Sequence, residues 1–204
     1  MLRQEKHKRY VYIKHISNTM GFIDPQDIFY IIPPVVLFGD IGLAAADVKT
    51  RLADPGTFQF YEIRRAALLV GIDFISLALA ISAKIAKISG KMAKARPELN
   101  APGLGQEPIH KEKGKRWMES SGKTFYKLFN FIAIGQMAAD LDIKDQELRK
   151  LVNDPVLMTF SQLQKIAGLI GVPLDVLVEV VVEQIEALEQ TKTGPTKGGT
   201  ENRL

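Results

Sequence analysis

The sequence predicts an all-α protein in which a basic linker joins two tandem five-helix bundles. Apolar residues recur at helical spacing between proline and glycine breaks, and an internal repeat aligns residues 28–85 with residues 128–185. Basic residues concentrate outside the repeated segments. With 46% apolar and 25% charged residues, the 204-residue chain has the composition of an ordinary globular protein.

The repeat aligns without a gap when the sequence is shifted by 100 residues. Eleven of the 58 aligned positions are identical, whereas chance gives roughly three or four at ordinary residue frequencies. Other pairs keep their apolar character, such as Val48 with Leu148 and Ile63 with Leu163. We therefore expect a shared core and different surfaces.

Prolines, glycines and N-cap residues divide the first copy into five short helices. Proline lacks a backbone N–H and interrupts a helix, whereas glycine adopts the left-handed conformation that ends one. Asp24 and Pro25 supply an N-cap followed by a proline at the first helical position. The predicted helices run from Pro25 to about Ile32, from Val35 to Asp40, from Ala44 to Ala53, from Thr57 to about Gly71 and from Phe74 to Ile85.

The second copy follows the same pattern of breaks. Its valine-rich end, residues 178–182, has strand propensity, but Glu179 and Glu183 lie one helical turn apart on a plausible solvated face. We predict a helix there. The predicted helices are Thr124 to Ile134, Gly135 to Leu141, Lys144 to Val152, Thr159 to Ile170 and Leu174 to about Glu189.

Charge separates acidic modules from basic connections. Residues 24–83 carry a net charge of −3 and residues 124–190 carry −5, whereas residues 84–123 carry +6 and residues 1–23 carry +4. We expect the basic segments to attract a polyanion through salt-sensitive contacts, and the alternative is a solvated linker that keeps the protein soluble. The predicted division is a basic N-terminal arm (1–23), a first domain (24–88), a basic Pro/Gly/Lys linker (89–123), a second domain (124–190) and a disordered tail (191–204).

Composition also bears on the compartment. The absence of cysteine excludes disulfides and cysteine-based catalytic or metal sites, and it fits a reducing compartment. The first residues lack the apolar stretch of a secretory signal. The apolar segment from Ala66 to Ala83 contains Asp73, which predicts buried structure instead of a membrane span. We expect a cytoplasmic protein with no membrane partner.

The second copy resembles the phage-repressor and Cro-like helix-turn-helix family. The resemblance rests on Gln136 at the start of the second helix, Leu141 and Ile143 around the turn, and the segment QLQKIAGLIGVPLDVL at residues 162–177. It covers residues 124–180, and it extends more weakly to the first copy. It implies that each copy is a compact bundle of about five helices, which in this family holds one helix in the major groove of DNA.

The resemblance implies that residues 144–152 form the reading helix. Glutamine pairs with adenine edges, and arginine or lysine meets guanine or phosphate. Asp145 and Glu147 depart from this pattern because carboxylates near the start of the helix repel phosphate, although a carboxylate also accepts from cytosine. The alternative to DNA contact is that the polar side chains of this helix form an ordinary solvated surface. The predicted DNA-binding residues are Gln136, Lys144, Gln146, Arg149 and Lys150, with Lys115 and Arg116 on the linker.

The structure can also be used to check the positions of two other residues, Asp142 and Trp117. Asp142 stands at the turn where the family often has glycine, and aspartate tolerates the positive φ that such a turn requires. Trp117 lies beside Arg116, where it either stacks on a base or anchors the linker to a core.

The first copy keeps a tight turn at Gly42 but has alanines at residues 44–46, in place of base-reading side chains. We expect this degenerate copy to pack against its sibling or a second subunit, with Lys49 and Arg51 at most touching phosphates. The apolar helix from Phe74 to Ile85 supports association, and core packing within one chain is the alternative.

The sequence carries no catalytic motif. The three histidines lie in basic segments without carboxylates at metal-ligand spacing, and no GxxxxGK phosphate loop is present. We expect no enzyme activity, cofactor or metal.

The leading hypothesis is a sequence-specific or semi-specific DNA-binding protein, a transcriptional regulator of bacterial, phage or mobile-element origin. Its expected partners are double-stranded DNA and either copies of itself or a larger protein assembly. The alternative is a structural or assembly protein, associated with a virion, that uses its bundles and basic arms to bind other proteins.

Overall fold

The computed structural model describes residues 3–20, 31–83 and 108–193. Within these ranges the regular structure is helical, apart from one bridged pair of residues, and this confirms the all-α prediction. None of the helices in the described ranges has both the length and the apolar character of a membrane span.

The helices of the two halves begin at equivalent positions. The elements that start at residues 34, 45, 55, 60 and 74 have counterparts that start 100 residues later, at residues 134, 145, 155, 160 and 174. The first half contains α1 (Arg3–Met20), α2 (Pro34–Asp40), α3 (Ala45–Ala53), a 3-10 turn (Pro55–Thr57), α4 (Phe60–Val70) and α5 (74–83, up to the limit of the described residues). The second half contains α6 (Lys111–Glu119), α7 (Phe125–Leu128), α8 (Ile134–Leu141), α9 (Asp145–Asn153), a 3-10 turn (Pro155–Leu157), α10 (Phe160–Ile170) and α11 (Leu174–Thr193).

Local sequence explains where α4 and α10 begin. Each starts with a capping box, formed by Gln59 and Glu62 in α4 and by Thr159 and Gln162 in α10. The side chain of the third helical residue accepts the backbone N–H of the N-cap residue at 2.9 Å in both. These reciprocal bonds satisfy donors that a helix start otherwise leaves without partners.

Two predicted helix bounds were wrong. The predicted helix from Thr124 to Ile134 is cut short because α7 ends at Leu128 and turns follow, which carry Ile132 into the core. The fourth helix starts at Phe60 and not at Thr57, since residues 55–57 form a separate 3-10 turn. The valine-rich end of the second copy is helical, as predicted.

Helices occupy parts of both segments that the charge pattern predicted as a basic arm and a linker. Helix α1 packs against α4, and α6 packs against α10. The Tyr10 hydroxyl donates to Asp40 Oδ2 at 2.8 Å, and His110 Nε2 lies 2.7 Å from Asp140 Oδ2. The second pair occupies the positions 100 residues after those of the first pair. These parts of the segments belong to the packed structure.

Several predicted features fall outside the described residues. These are most of the first predicted helix (residues 25–30), the linker up to residue 107 and the tail from residue 194 onwards. Helix α11 continues to Thr193, three residues into the segment that was predicted as a tail.

The apolar faces of the described helices meet in one core. In α5 the residues Phe74, Leu77 and Ile81 are buried within the chain. This burial favours core packing, which was the alternative to a role of this helix in association. The apolar segment from Ala66 to Ala83 is divided between α4 and α5 by a turn at Gly71. Its apolar character is therefore explained by core packing.

A short antiparallel contact joins the two halves at equivalent residues. The Phe60 N–H donates to the Met158 carbonyl at 3.2 Å, and the Phe160 N–H donates to the Phe58 carbonyl at 3.1 Å. The rings of Phe60 and Phe160 stack with their centroids 4.4 Å apart and their planes at 18°. The bridged pair lies at the N-caps of α4 and α10.

Candidate nucleic-acid interface

Helices α8 and α9 are joined by a tight turn. Asp142 ends α8 with φ 57°, and Ile143 follows with its N–H donating to the Ala138 carbonyl at 3.0 Å. Asp142 is the non-glycine residue with positive φ in the described chain, as its place at the turn predicted. Gly42 has φ 98° at the equivalent position in the first copy. The turn fixes the direction in which α9 leaves α8.

One face of α9 is buried and the other is in solvent. Leu148, Leu151 and Val152 lie in the core, which fixes the rotation of the helix about its axis. The polar residues of the opposite face are exposed. On α9 and its N-cap these include four predicted DNA-binding residues, Lys144, Gln146, Arg149 and Lys150.

Helix α6 is held rigidly beside this surface. A Cβ at Gly114 would overlap the backbone carbonyl of Ile170, so only glycine permits this close approach to α10. Trp117 is fully buried, and its indole Nε1 donates to the Thr124 carbonyl at 3.1 Å. Trp117 therefore anchors this helix to the core, and the alternative of base stacking is wrong.

The docking of α6 brings Lys113 to the predicted surface. Its Nζ donates to Gln136 Oε1 at 3.1 Å, which ties the exposed start of α8 to α6. Arg116 lies three residues after Lys113, about 60° away around the helix axis, so it shares that side. Lys115 lies two residues after Lys113, about 160° away. Lys115, although exposed, thus lies on the opposite side of α6 from Gln136.

Asp145 is turned towards the start of α8. An ideal Cβ on Gly135 would lie 3.2 Å from Asp145 Oδ2 and 3.4 Å from Oδ1, so the carboxylate sits against the second residue of that helix. A carboxylate in this position stabilises the positive end of the helix dipole. Glu147 and Asp142 remain on the exposed side. The surface around α9 is thus of mixed charge.

Sequence reasoning missed Lys113 and the pair of His110 and Asp140. His110 is buried, its side chain contacts Asp140, and its N–H donates to the Leu169 carbonyl at 2.8 Å. The available signal was the repeat, because extending the alignment backwards places Tyr10 over His110. No comparable signal distinguishes Lys113 from the neighbouring lysines, since that choice depends on how α6 docks.

The first copy presents a different surface at the equivalent helix pair. The alanines at residues 44–46 are exposed, and Lys49 is exposed at the position equivalent to Arg149. Arg51 was expected at most to touch a phosphate, but its guanidinium is paired within the chain and is not available to one. Its Nε donates to both carboxylate oxygens of Glu62 at 2.8 Å.

The ion pair of Arg51 and Glu62 has a physical cause. Glu62 is fully buried and also closes the capping box of α4, so its carboxylate requires a cationic partner. The hydrogen bond to Glu62 raises the pKa of Arg51 above its ordinary value. In the second copy the equivalent residues are Leu151 and Gln162, a neutral pair. Both members of the pair therefore differ together between the copies.

Within the described residues, no group of three or more acidic or histidine side chains is placed to hold a metal ion. Comparisons of the chain with protein-family models, with curated proteins and with solved structures found no match.

Proposed function

We propose that the chain is a non-enzymatic DNA-binding protein of two tandem five-helix, helix-turn-helix-like bundles. In this proposal it is a sequence-specific or semi-specific transcriptional regulator of bacterial, phage or mobile-element origin. Helix α9 enters the major groove, and α8 crosses the DNA backbone. The observation that carries the proposal is the exposed polar face of α9 opposite a buried apolar face.

The side chains of this face match the chemistry of base edges. Gln146 can donate to and accept from adenine, and Arg149 can donate two bonds to guanine. Lys144 and Lys150 flank them and suit the phosphates on either side of the groove. Their exposure leaves these groups open to an external ligand.

The start of α8 and one side of α6 suit the DNA backbone. Gln136 is held by Lys113, and Arg116 lies on the same side of α6. These groups supply two positive charges beside the start of α8, and such charges suit a phosphate of the DNA backbone. We assign the phosphate contact to Lys113 and Arg116 and not to Lys115, because of the side of α6 that faces Gln136.

The acidic residues of α9 fit the proposal in different ways. Asp145 lies against the start of α8, where its carboxylate interacts with the positive end of that helix dipole. Glu147 is exposed, and an exposed carboxylate at a reading helix accepts from the amino group of cytosine. Glu147 thus selects against most other base pairs.

The alternative function, a structural or assembly protein, is favoured by one observation on α1. Val11 and Tyr12 are 51% and 55% exposed there, beside basic residues. An exposed apolar and basic patch suits a protein partner. A homo-oligomer or a larger assembly, as expected from the sequence, has this patch as its candidate contact.

Selection of sites from a random duplex library, followed by titration at two salt concentrations, separates the two functions. We expect a preferred site that binds at least about 10³-fold more tightly than random duplex. Equal binding to all sequences that disappears with added salt would contradict specific regulation. Absence of binding to any duplex would favour the assembly function.

A matched pair of variants tests the assigned surface. Lys113→Ala should weaken binding to preferred and random duplexes alike and reduce the salt dependence by about one phosphate contact. Lys115→Ala removes the same charge from the other side of α6, and it should leave both quantities unchanged. If Lys115→Ala has the larger effect, the orientation of α6 on DNA is wrong.

A further inference from the structure

We infer that one chain binds one DNA duplex with both of its halves, as a dimer of helix-turn-helix domains does, and that its DNA site has two unequal halves. The inference rests on the proposed function and adds to it the number of chains in the complex and the form of the site.

The contact between the halves is reciprocal. Phe60 donates to residue 158, and its equivalent, Phe160, donates to residue 58. The two phenylalanines also stack on each other. Equivalent groups that exchange the same bonds are related by a local twofold axis, which is the relation between the subunits of a symmetric dimer.

Flanking contacts follow the same relation. Helix α10 packs on the first 3-10 turn, and α4 packs on the second. Gly56, in the first turn, is buried against the Ser161 side chain, so that a Cβ there would overlap its hydroxyl. The second copy has Val156 at the equivalent position. The two halves thus differ in sequence where they meet, as parts of one chain are free to do.

A short connection joins each candidate reading helix to the axis. Thr159 is five residues after Asp154, which caps α9, so α9 ends within about 17 Å of the axis. The middle of this helix lies about 7 Å further along it. Two half-sites one helical turn apart require their reading helices to lie about 17 Å from the axis. The connection between α9 and the axis permits that spacing.

The two halves of the site are unequal because α3 and α9 differ in side chains. Alanines at residues 44–46 stand where the second copy has Lys144, Asp145 and Gln146. Their exposed methyl groups suit contact with the thymine methyl group and form no hydrogen bond with a base edge. Lys49 is exposed and supplies a phosphate contact. We expect one half-site read by hydrogen bonds and one read weakly.

The same contact bears on oligomerisation. The surface that would pair two separate copies is already filled within the chain by residues 58–60 and 158–160. A second chain is therefore not needed to place two reading helices on one duplex. Any homo-oligomer uses another surface, such as the exposed patch on α1.

The test is the composition and footprint of the complex that the full chain forms with its selected duplex. Native mass spectrometry should give one chain per duplex. Hydroxyl-radical footprinting should give two protected regions about one helical turn apart. Two chains per duplex, or one chain that protects a single region, would overturn the inference and leave the proposed function intact. Failure to bind any duplex would overturn both.

Equivalent substitutions in the two halves sharpen the test. Arg149→Ala should relax base preference in one protected region. Lys49→Ala should weaken binding equally for all sequences, and the affinity ratio between 50 and 200 mM salt should fall by about 3.5-fold, the effect of one phosphate contact. If Lys49→Ala changes neither the affinity nor the footprint, the first half does not contact DNA and the inference is wrong.

Discussion

The ion pair in the first copy allows a quantitative test of how the two copies diverged. Arg51→Leu introduces the residue of the second copy but leaves Glu62 fully buried with an uncompensated charge. Breaking a buried pair in this way costs about 3–5 kcal/mol. The carboxylate keeps the Gln59 N–H at 2.9 Å, and the Arg51 side chain is 20% exposed. We therefore expect a loss near the lower end, about 3 kcal/mol.

The second substitution should restore most of this stability. In Arg51→Leu with Glu62→Gln, the neutral amide oxygen can accept the Gln59 N–H, as Gln162 accepts the Thr159 N–H. No buried charge then remains. We expect the double variant to lie within about 1 kcal/mol of the natural chain, which gives a coupling energy of about 2 kcal/mol or more.

Urea denaturation followed by circular dichroism measures these free energies of unfolding. The Glu62→Gln single variant completes the cycle, and its arginine can turn towards solvent. A double variant as unstable as Arg51→Leu would refute the reasoning. So would a loss of less than about 1 kcal/mol in Arg51→Leu, because the buried carboxylate would then not depend on its partner.

Three further predictions concern stability. Gly114→Ala should lower the free energy of unfolding by about 2 kcal/mol, as measured by urea denaturation with Trp117 fluorescence. Gly168→Ala, on the open side of α10, should raise it by about 0.5–1 kcal/mol. Equal effects of the two substitutions would contradict the close packing of α6. Asp142→Val should cost about 1–2 kcal/mol at its positive φ, and Asp142→Gly should stay within about 0.5 kcal/mol; the melting temperatures of the two variants check this, and equal values would exclude the strained turn. Burial and the hydrogen bond to Asp40 raise the pKa of Tyr10, so its stabilising contribution is present below about pH 10 and is lost as the pH rises further. In Tyr10→Phe the loss of unfolding free energy at alkaline pH should be smaller. An unchanged dependence of the unfolding free energy on pH would contradict the hydrogen bond.

The breaks between helices were readable because they have local causes. Prolines at residues 55 and 155, the turn at Gly42 and the positive-φ position of Asp142 act within a few residues of themselves. The helical pattern also outweighed the strand propensity of the valines in α11, because the exposed Glu179 and Glu183 lie one helical turn apart with buried residues between them. Such features depend on short-range sterics that the sequence states directly.

The helix within the predicted linker was harder to foresee. Helix α6 is strongly charged and packs through a small number of residues, chiefly Gly114 and Trp117. A glycine and a lone aromatic residue among lysines are also typical of a linker. The segment joins the core through the burial of Trp117 and through the close approach of Gly114 to Ile170, a contact more than 50 positions away.

The role of Arg51 depended on a partner whose burial the sequence does not state. Glutamate is usually solvated, whereas Glu62, which closes the capping box of α4, is fully buried. The repeat did contain a clue, since residues 51 and 62 both become neutral at 151 and 162. A paired change of this kind between two copies indicates contact, and it could have removed Arg51 from the list of phosphate ligands.

One set of affinities shows whether the exposed face of α9 reads base pairs. The natural chain and Arg149→Ala are titrated against the selected duplex and against its single base-pair variants at fixed salt. We predict that Arg149→Ala loses about 1–3 kcal/mol of discrimination at one base pair and keeps it at the others. Equal weakening on every duplex, or no change on any, would contradict base reading by α9.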